Sequence, residues 1–269
     1  MAELVKWNAS KIKAQKGREK IACLTACDYF TARLVDEAGI PLVLVGDSLG
    51  MTVLGYESTL PVTLEQMLHH GAAVSRAVKS ALVVGDLPFM SYQLSREQAL
   101  ESAGRFLKEG GVGAVKLEGG AFRAETIATL VQNGIPVLGH IGLTPQSLRE
   151  LGGYKVQGRR PEEAKRLLAD AQALEQAGVF ALVVECVPAE LGAEITAAVK
   201  VPTIGIGAGP ACDGQILVAH DLFGMTPAEA TPKFVKRYAE VGSAMRGALA
   251  AYHEDVRAGR FPSDAQSYS

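Results

Sequence analysis

The stretch "PLVLVGD", residues 41–47, decides the fold. Leu42, Val43, Leu44 and Val45 leave no polar face, as in a strand of a parallel sheet covered on both sides. One glycine later stands Asp47, a carboxylate that water would solvate better than a protein core. "ALVVGD", residues 81–86, repeats the pattern and ends on Asp86. Six further strand-like runs are "IACLTAC" from Ile21, "AVKLEG" from Ala114, "PVLGHIG" from Pro136, "ALVVEC" from Ala181, "PTIGIGAG" from Pro202 and "QILVAHD" from Gln215.

Helical patterns fill the intervals. Thr63 with Gln66, and Ser95 with Gln98, have the capping-box form. Thr144-Pro145 and Thr231-Pro232 put proline just inside a helix start, where its missing donor costs nothing. "EAGIP", "EGGVG", "QNGIP" and "QAGVF" each place glycine after a helix and before a strand. Eight alternations without a break in composition predict one (β/α)8 TIM-barrel domain over residues 1–269. A short N-terminal arm and a polar C-terminal tail flank it, and a doubly wound open sheet is the alternative. A last helix is expected over residues 231 to 253, with Tyr238, Val241, Met245, Ala248 and Tyr252 on one face. That face would cover its own barrel or pack on another subunit.

The bulk numbers agree with a soluble globular protein. A chain of 269 residues, 48% hydrophobic, can bury a sizeable core. A formal charge of -2 gives no electrostatic footprint for nucleic acid or an anionic membrane. The first twenty residues lack the apolar core of a signal peptide, and no apolar run is long enough to span a bilayer. Cys23, Cys27, Cys186 and Cys212 show no zinc-like spacing and read as reduced thiols. A cytoplasmic location is the expectation.

In such a barrel the C-terminal strand ends meet at one mouth. Asp47, Asp86, Glu118, His140, Glu185 and Asp221 would then gather there. So many carboxylates repel one another and resist desolvation unless a cation offsets them, and oxygen ligands alone point to a hard one, Mg2+. Each acid could otherwise cap a helix or meet a basic residue. Lys116 shares a strand face with Glu118, so it can hold a substrate carboxylate or an enolate, serve as a Schiff-base lysine, or pair with Glu118. Glu185 follows an apolar run, a setting that lifts a carboxyl toward neutrality and suits a general base; a ligand role or a buried hydrogen-bonded acid competes. His140 is a proton carrier, an orienting group or a core histidine. "IGIGAG" is not the dinucleotide fingerprint.

"VGDSLGM", "GDLPFMSY", "VKLEGG", "GHIGLTPQS", "GGYKVQG", "LVVECVP" and "IGIGAGPACDGQILVAHDLFG" resemble the ketopantoate hydroxymethyltransferase family, over about residues 6 to 261. The resemblance implies a barrel of the phosphoenolpyruvate/pyruvate superfamily, bound Mg2+ and the first committed step of pantothenate synthesis. That step moves a one-carbon unit from 5,10-methylenetetrahydrofolate to 3-methyl-2-oxobutanoate, giving 2-dehydropantoate and tetrahydrofolate. It implies Asp47, Asp86 and Glu118 as metal ligands, and Asp47, Ser48, Asp86 and Lys116 as keto-acid contacts. Glu185 would be the proton acceptor, His140 an accessory group, and the assembly a homo-oligomer, a decamer. An Mg2+-dependent 2-oxo acid lyase of the same superfamily is the alternative; its lysine-cysteine-glycine-histidine loop has no counterpart here.

Overall fold

The computed structural model describes residues 6–268, so the first five residues of the expected N-terminal arm lie outside the described residues. The chain divides into two compact units, one reaching residue 218 and the other starting at residue 219.

The first unit holds the barrel. Its strands are β1 (Ile21–Thr25), β2 (Leu42–Val45), β3 (Leu82–Asp86), β4 (Ala114–Glu118), β5 (Val137–Gly142), β6 (Ala181–Glu185), β7 (Thr203–Ile206) and β8 (Gly214–Leu217). They pair in chain order, all parallel, and the ring closes where Ile21 meets Gly214. The open sheet is thereby ruled out, and every expected strand is present.

One face of each strand fills the barrel. Leu42 and Leu44, Leu82 and Val84, Ala114, Leu138, Ala181 and Val183, and Ile204 form a single buried cluster. Ile12, from the helix Ala9–Lys13, belongs to that cluster, and Trp7 packs against it. Because side chains alternate at every second residue, the faces that begin Leu82–Val84 and Ala114 continue to Asp86, Lys116 and Glu118. The apolar half of the barrel thus leads directly into a charged half at the strand C-termini.

The helix signals hold in part. Thr63 and Gln66 form a complete capping box at the start of Leu64–Ala77. At Arg96–Lys108 only half of one forms: Ser95 accepts from the Gln98 N–H, while the Gln98 side chain turns to Leu94 N and Met90 O. All four cysteines are free.

The second unit contains the short helix Ala219–Leu222 and the long helix Val241–Arg257. The helix expected from residue 231 therefore begins ten residues later. The Tyr238 and Val241 N–H groups donate to the carbonyls of Leu222 and Phe223, at 2.8 and 2.9 Å, so they cannot serve as interior donors of a helix running on from residue 231. Met245, Leu249, Tyr252 and Val256 make an exposed stripe along the long helix. Asp221 lies in the short helix beyond the end of β8 and accepts a hydrogen bond from the Thr226 hydroxyl. It is not a strand-end acid.

At the other end of the barrel from the acids, Asp213 ties the N-terminal segment to β7 and β8. Its Oδ2 accepts from Lys16 Nζ at 2.8 Å and from the Thr203 N–H at 2.9 Å, and Oδ1 accepts from the Gly17 N–H at 3.3 Å. Burial opposes charge on this carboxyl, but Lys16 and the N–H donors outweigh it and hold the pKa below the usual range. Its stabilisation is complete above the unfolded value, about pH 4, and is lost as pH falls through the lower folded value. Asp213→Asn should lower stability at pH 7 by about 1–2 kcal/mol, and urea unfolding should show the gap closing as the pH falls below the unfolded value, about 4. A gap that stays constant with pH would contradict this account.

Candidate active site

Strand register brings the charged residues together. Asp86 on β3 is the partner of Lys116 on β4, and Glu118 on β4 is the partner of His140 on β5. Lys116 Nζ lies 2.7 and 2.8 Å from the two Asp86 oxygens and 3.4 Å from Glu118 Oε1. At 3% and 1% exposure, Lys116 and Asp86 are out of reach of bulk water. Intrachain spacing pointed to Glu118 as the partner; register makes Asp86 the nearer one. Burial favours the neutral amine, but Asp86, Glu118 and Asp47 outweigh it and keep Lys116 protonated. A lysine held in this way is a poor Schiff-base nucleophile.

Asp47 sits in the turn after β2. Its N–H donates to Asp86 Oδ2 at 3.2 Å, and its own Oδ2 accepts from Gln146 Nε2 at 2.9 Å. That partner is a neutral amide. Burial first, then the charge on Asp86 and on Glu118, push the Asp47 carboxyl well above its ordinary range, and Lys116 offsets this only in part. Positive charge is short at Asp47.

Burial also opposes charge on Glu118, but Lys116, His140 and the Gln146 N–H, which donates to Oε2 at 3.0 Å, hold its pKa below the usual value. His140 lies with Nδ1 3.6 Å from Glu118 Oε1 and Nε2 3.1 Å from Glu185 Oε2. Burial and Lys116 act to lower its pKa, yet the two carboxylates raise it to about 9. At neutral pH it is an imidazolium between two acids, which the sequence reading had left open.

Glu185 ends β6 with its side chain 14% exposed, against 2% for Glu118 and for His140. It is the acid of this group that opens toward the mouth. Its position depends on Gly142, its register partner on β5. Gly142 has φ +94°, and a β-carbon there would run into the Glu185 carbonyl oxygen. Ser48, half-buried, precedes the short helix Leu49–Thr52, and its hydroxyl makes no capping bond.

Three neighbours were not singled out from sequence. Gln146, in the 3-10 turn Pro145–Ser147, bonds Asp47 and Glu118. The Tyr92 hydroxyl donates to Gln146 Oε1 at 2.7 Å and accepts from the Glu118 N–H at 3.2 Å. Tyr154, from "GGYKVQG", has its phenol pushed up by burial and then by the negative charge of Glu185, Asp47 and Glu118. The available signal was membership of the motifs themselves: a glutamine just after Thr144-Pro145, and tyrosines closing "FMSY" and "GGY".

The expected ligand set is only partly drawn together. Among the described residues, no three His, Cys, Asp or Glu side chains form a preformed metal cluster. Asp47 and Asp86 are adjacent, whereas Glu118 is committed to Lys116, His140 and Gln146. The group still fits a hard dication. Four buried or nearly buried carboxyl groups, Asp47, Asp86, Glu118 and Glu185, face the two cations Lys116 and His140. As carboxylates they outnumber the cations by two, and Asp47 is the one among them that makes no ion pair. Mg2+ commonly takes one or two carboxylates and fills its other positions with water and substrate.

Comparison with known proteins follows the same line. A family model described as ketopantoate hydroxymethyltransferase matches residues 6–264. The 3-methyl-2-oxobutanoate hydroxymethyltransferase of Carboxydothermus hydrogenoformans is 57% identical over 97% of this chain and 94% of its own. The enzyme of that name from Moorella thermoacetica is 55% identical over the whole of both chains. Among solved structures, a phosphonopyruvate hydrolase complexed with oxalate and Mg2+ superposes with a TM-score of 0.59 at 16% identity, over 97% of this chain and 92% of the other. That likeness is one of fold. Among the described residues, no helix is long and apolar enough to cross a membrane.

Removing Lys116 should leave Asp86 buried without its cation and Glu118 with His140 alone. Lys116→Met is expected to cost roughly 3–5 kcal/mol in urea unfolding. Adding Asp86→Asn to that variant should recover part of the loss. If the double variant is as unstable as the sum of the two single ones, the pair is not coupled in the way described.

Proposed function

The chain belongs to the ketopantoate hydroxymethyltransferase family, and from that premise we propose how its buried charges carry the reaction. It takes a one-carbon unit from 5,10-methylenetetrahydrofolate and adds it to C3 of 3-methyl-2-oxobutanoate, yielding 2-dehydropantoate and tetrahydrofolate. This is the entry step to pantothenate. The observation that carries the reading is the charge-deficient Asp47 beside Asp86, facing an acid, Glu185, that opens to the mouth.

Asp47 and Asp86 would hold Mg2+, with Glu118 acting behind them, and the Mg2+ complex of a fold relative with oxalate, a dicarboxylate whose adjacent carbons both offer oxygens, supports the choice of ion. The ion supplies Lewis-acid polarisation of the keto oxygen when bound. Lys116 stays protonated, steadies the two carboxylates at its nitrogen and places positive charge near the developing enolate. The Ser48 hydroxyl, free of any capping bond, is available to the substrate carboxylate.

Glu185 takes the proton from C3. His140 fixes one Glu185 oxygen at 3.1 Å and so leaves the other for the substrate. As an imidazolium between two acids, His140 is an orienting group and not the base. The C3 carbanion then forms a bond to the methylene carbon of the folate, reached as its iminium ion. The carbon–nitrogen bond to tetrahydrofolate breaks as one water molecule supplies the hydroxyl to that carbon and its remaining proton to the departing folate nitrogen. A homo-oligomer and a cytoplasmic location accompany this reading through the family resemblance.

The test is turnover of 3-methyl-2-oxobutanoate and 5,10-methylenetetrahydrofolate with added Mg2+. The wild-type chain should release 2-dehydropantoate, and Glu185→Gln should lower kcat by about 10²–10⁴-fold, with binding of the keto acid retained by calorimetry. A Glu185→Gln enzyme within a few-fold of wild type would remove Glu185 from the role of base.

A further inference from the structure

We infer that Gln146 is a positioning residue, whose amide sets the direction in which Asp47 presents its free oxygen to the cation while its backbone N–H holds Glu118 behind that ligand; this rests on the metal reading above. The inference comes from the bonds the residue makes. Gln146 Nε2 donates to Asp47 Oδ2 and to the Leu87 carbonyl, both at 2.9 Å. Its Oε1 accepts from the Tyr92 hydroxyl at 2.7 Å and from Gln93 Nε2 at 3.2 Å. Its backbone N–H donates to Glu118 Oε2 at 3.0 Å.

All four hydrogen-bonding positions of the amide are therefore filled. A flipped amide would set Oε1 against Asp47 Oδ2 and the Leu87 carbonyl, two acceptors, so only one orientation satisfies every partner. The residue is 5% exposed, and its bonds to Asp47, Leu87, Tyr92 and Glu118 sit where water cannot replace them, while the one from Gln93 is partly buried. The partners come from different parts of the mouth. Asp47 follows β2, Leu87, Tyr92 and Gln93 follow β3, Glu118 ends β4, and Gln146 itself follows β5. One residue, through its side chain and its backbone N–H, ties four strand ends together.

The consequence for Asp47 is directional. Gln146 engages Oδ2, so the lone pairs of Oδ1 are left for an ion or its water. For Glu118 the backbone N–H engages Oε2, turning Oε1 toward Lys116 and His140. An apolar residue of similar length at 146 would keep the fold of the turn and the bond to Glu118, and would lose the bond to Asp47. Hydrogen bonds behind metal ligands are worth about 10–100-fold in metal affinity.

The experiment is Mn2+ binding, read as loss of the free-ion EPR signal on titrating the substrate-free protein. Gln146→Met should weaken Mn2+ binding by about 10–100-fold, with the circular dichroism spectrum unchanged. Tyr92→Phe, which leaves Gln146 in place but removes one of the donors to its amide oxygen, should give a smaller loss in the same direction and serves if Gln146→Met does not fold. Ser102→Ala removes a different buried bond, from its hydroxyl to the Ser91 carbonyl, and should leave Mn2+ affinity at the wild-type value. Affinity within twofold of wild type in folded Gln146→Met, or an equal loss in Ser102→Ala, would overturn the inference. If the wild-type chain takes up no Mn2+, the metal reading itself fails, and the inference falls with it.

Discussion

The ion pair between Lys116 and Asp86 is the interaction on which the rest of the site depends. Both side chains are almost fully buried, and each ion loses several kcal/mol of hydration on leaving water. Their mutual attraction, together with the contact from Lys116 to Glu118, makes that burial tolerable. The pair is set by strand register, because Asp86 and Lys116 stand opposite each other on β3 and β4. A slip of one residue would turn one member out of the barrel and leave the other unpaired. The charged half of the barrel and the pairing of its strands are thus one constraint.

The apolar half makes the charged half possible. Along β3 and β6 the inward face runs from Leu82 and Val84 to Asp86, and from Ala181 and Val183 to Glu185. Ile12 and Trp7 pack with the barrel cluster, at the side away from the acids. With one end filled by hydrocarbon, the charges are confined to the mouth, where low local dielectric strengthens every contact among them. The same confinement raises the cost of any imbalance. His140 meets part of it as an imidazolium at about pKa 9, and Asp47, with no cation paired to it, stays well above its ordinary range.

Much of this was legible from residue order. A continuous apolar run followed by glycine and an acid, repeated at residues 41–47 and 81–86, is enough to predict buried parallel strands with carboxylates at their ends. The strand ends and their acids lie where that pattern puts them, with Asp221 the exception, since β8 stops at Leu217. What was not legible depends on contacts between strands. Nothing near Lys116 in sequence points to Asp86, thirty residues earlier, as its nearer partner. Gln146 is an ordinary polar residue until folding sets it between Asp47, Leu87 and Tyr92. The helix expected from residue 231 begins later for a similar reason: the Tyr238 and Val241 N–H groups, which would be its interior donors, are captured by the Leu222 and Phe223 carbonyls, a competition that periodicity does not register.

The central claim is that these charges, completed by a dication, make C3 of a 2-oxo acid acidic enough for Glu185 to deprotonate. The most direct measurement follows the C3 proton of 3-methyl-2-oxobutanoate by NMR in D2O, with purified protein and no folate, once with Mg2+ and once with EDTA. The account predicts that the C3 signal disappears in the presence of Mg2+ and persists with EDTA. Loss of the signal at the same rate in both tubes, or its persistence in both while added 5,10-methylenetetrahydrofolate still yields no 2-dehydropantoate, would contradict it.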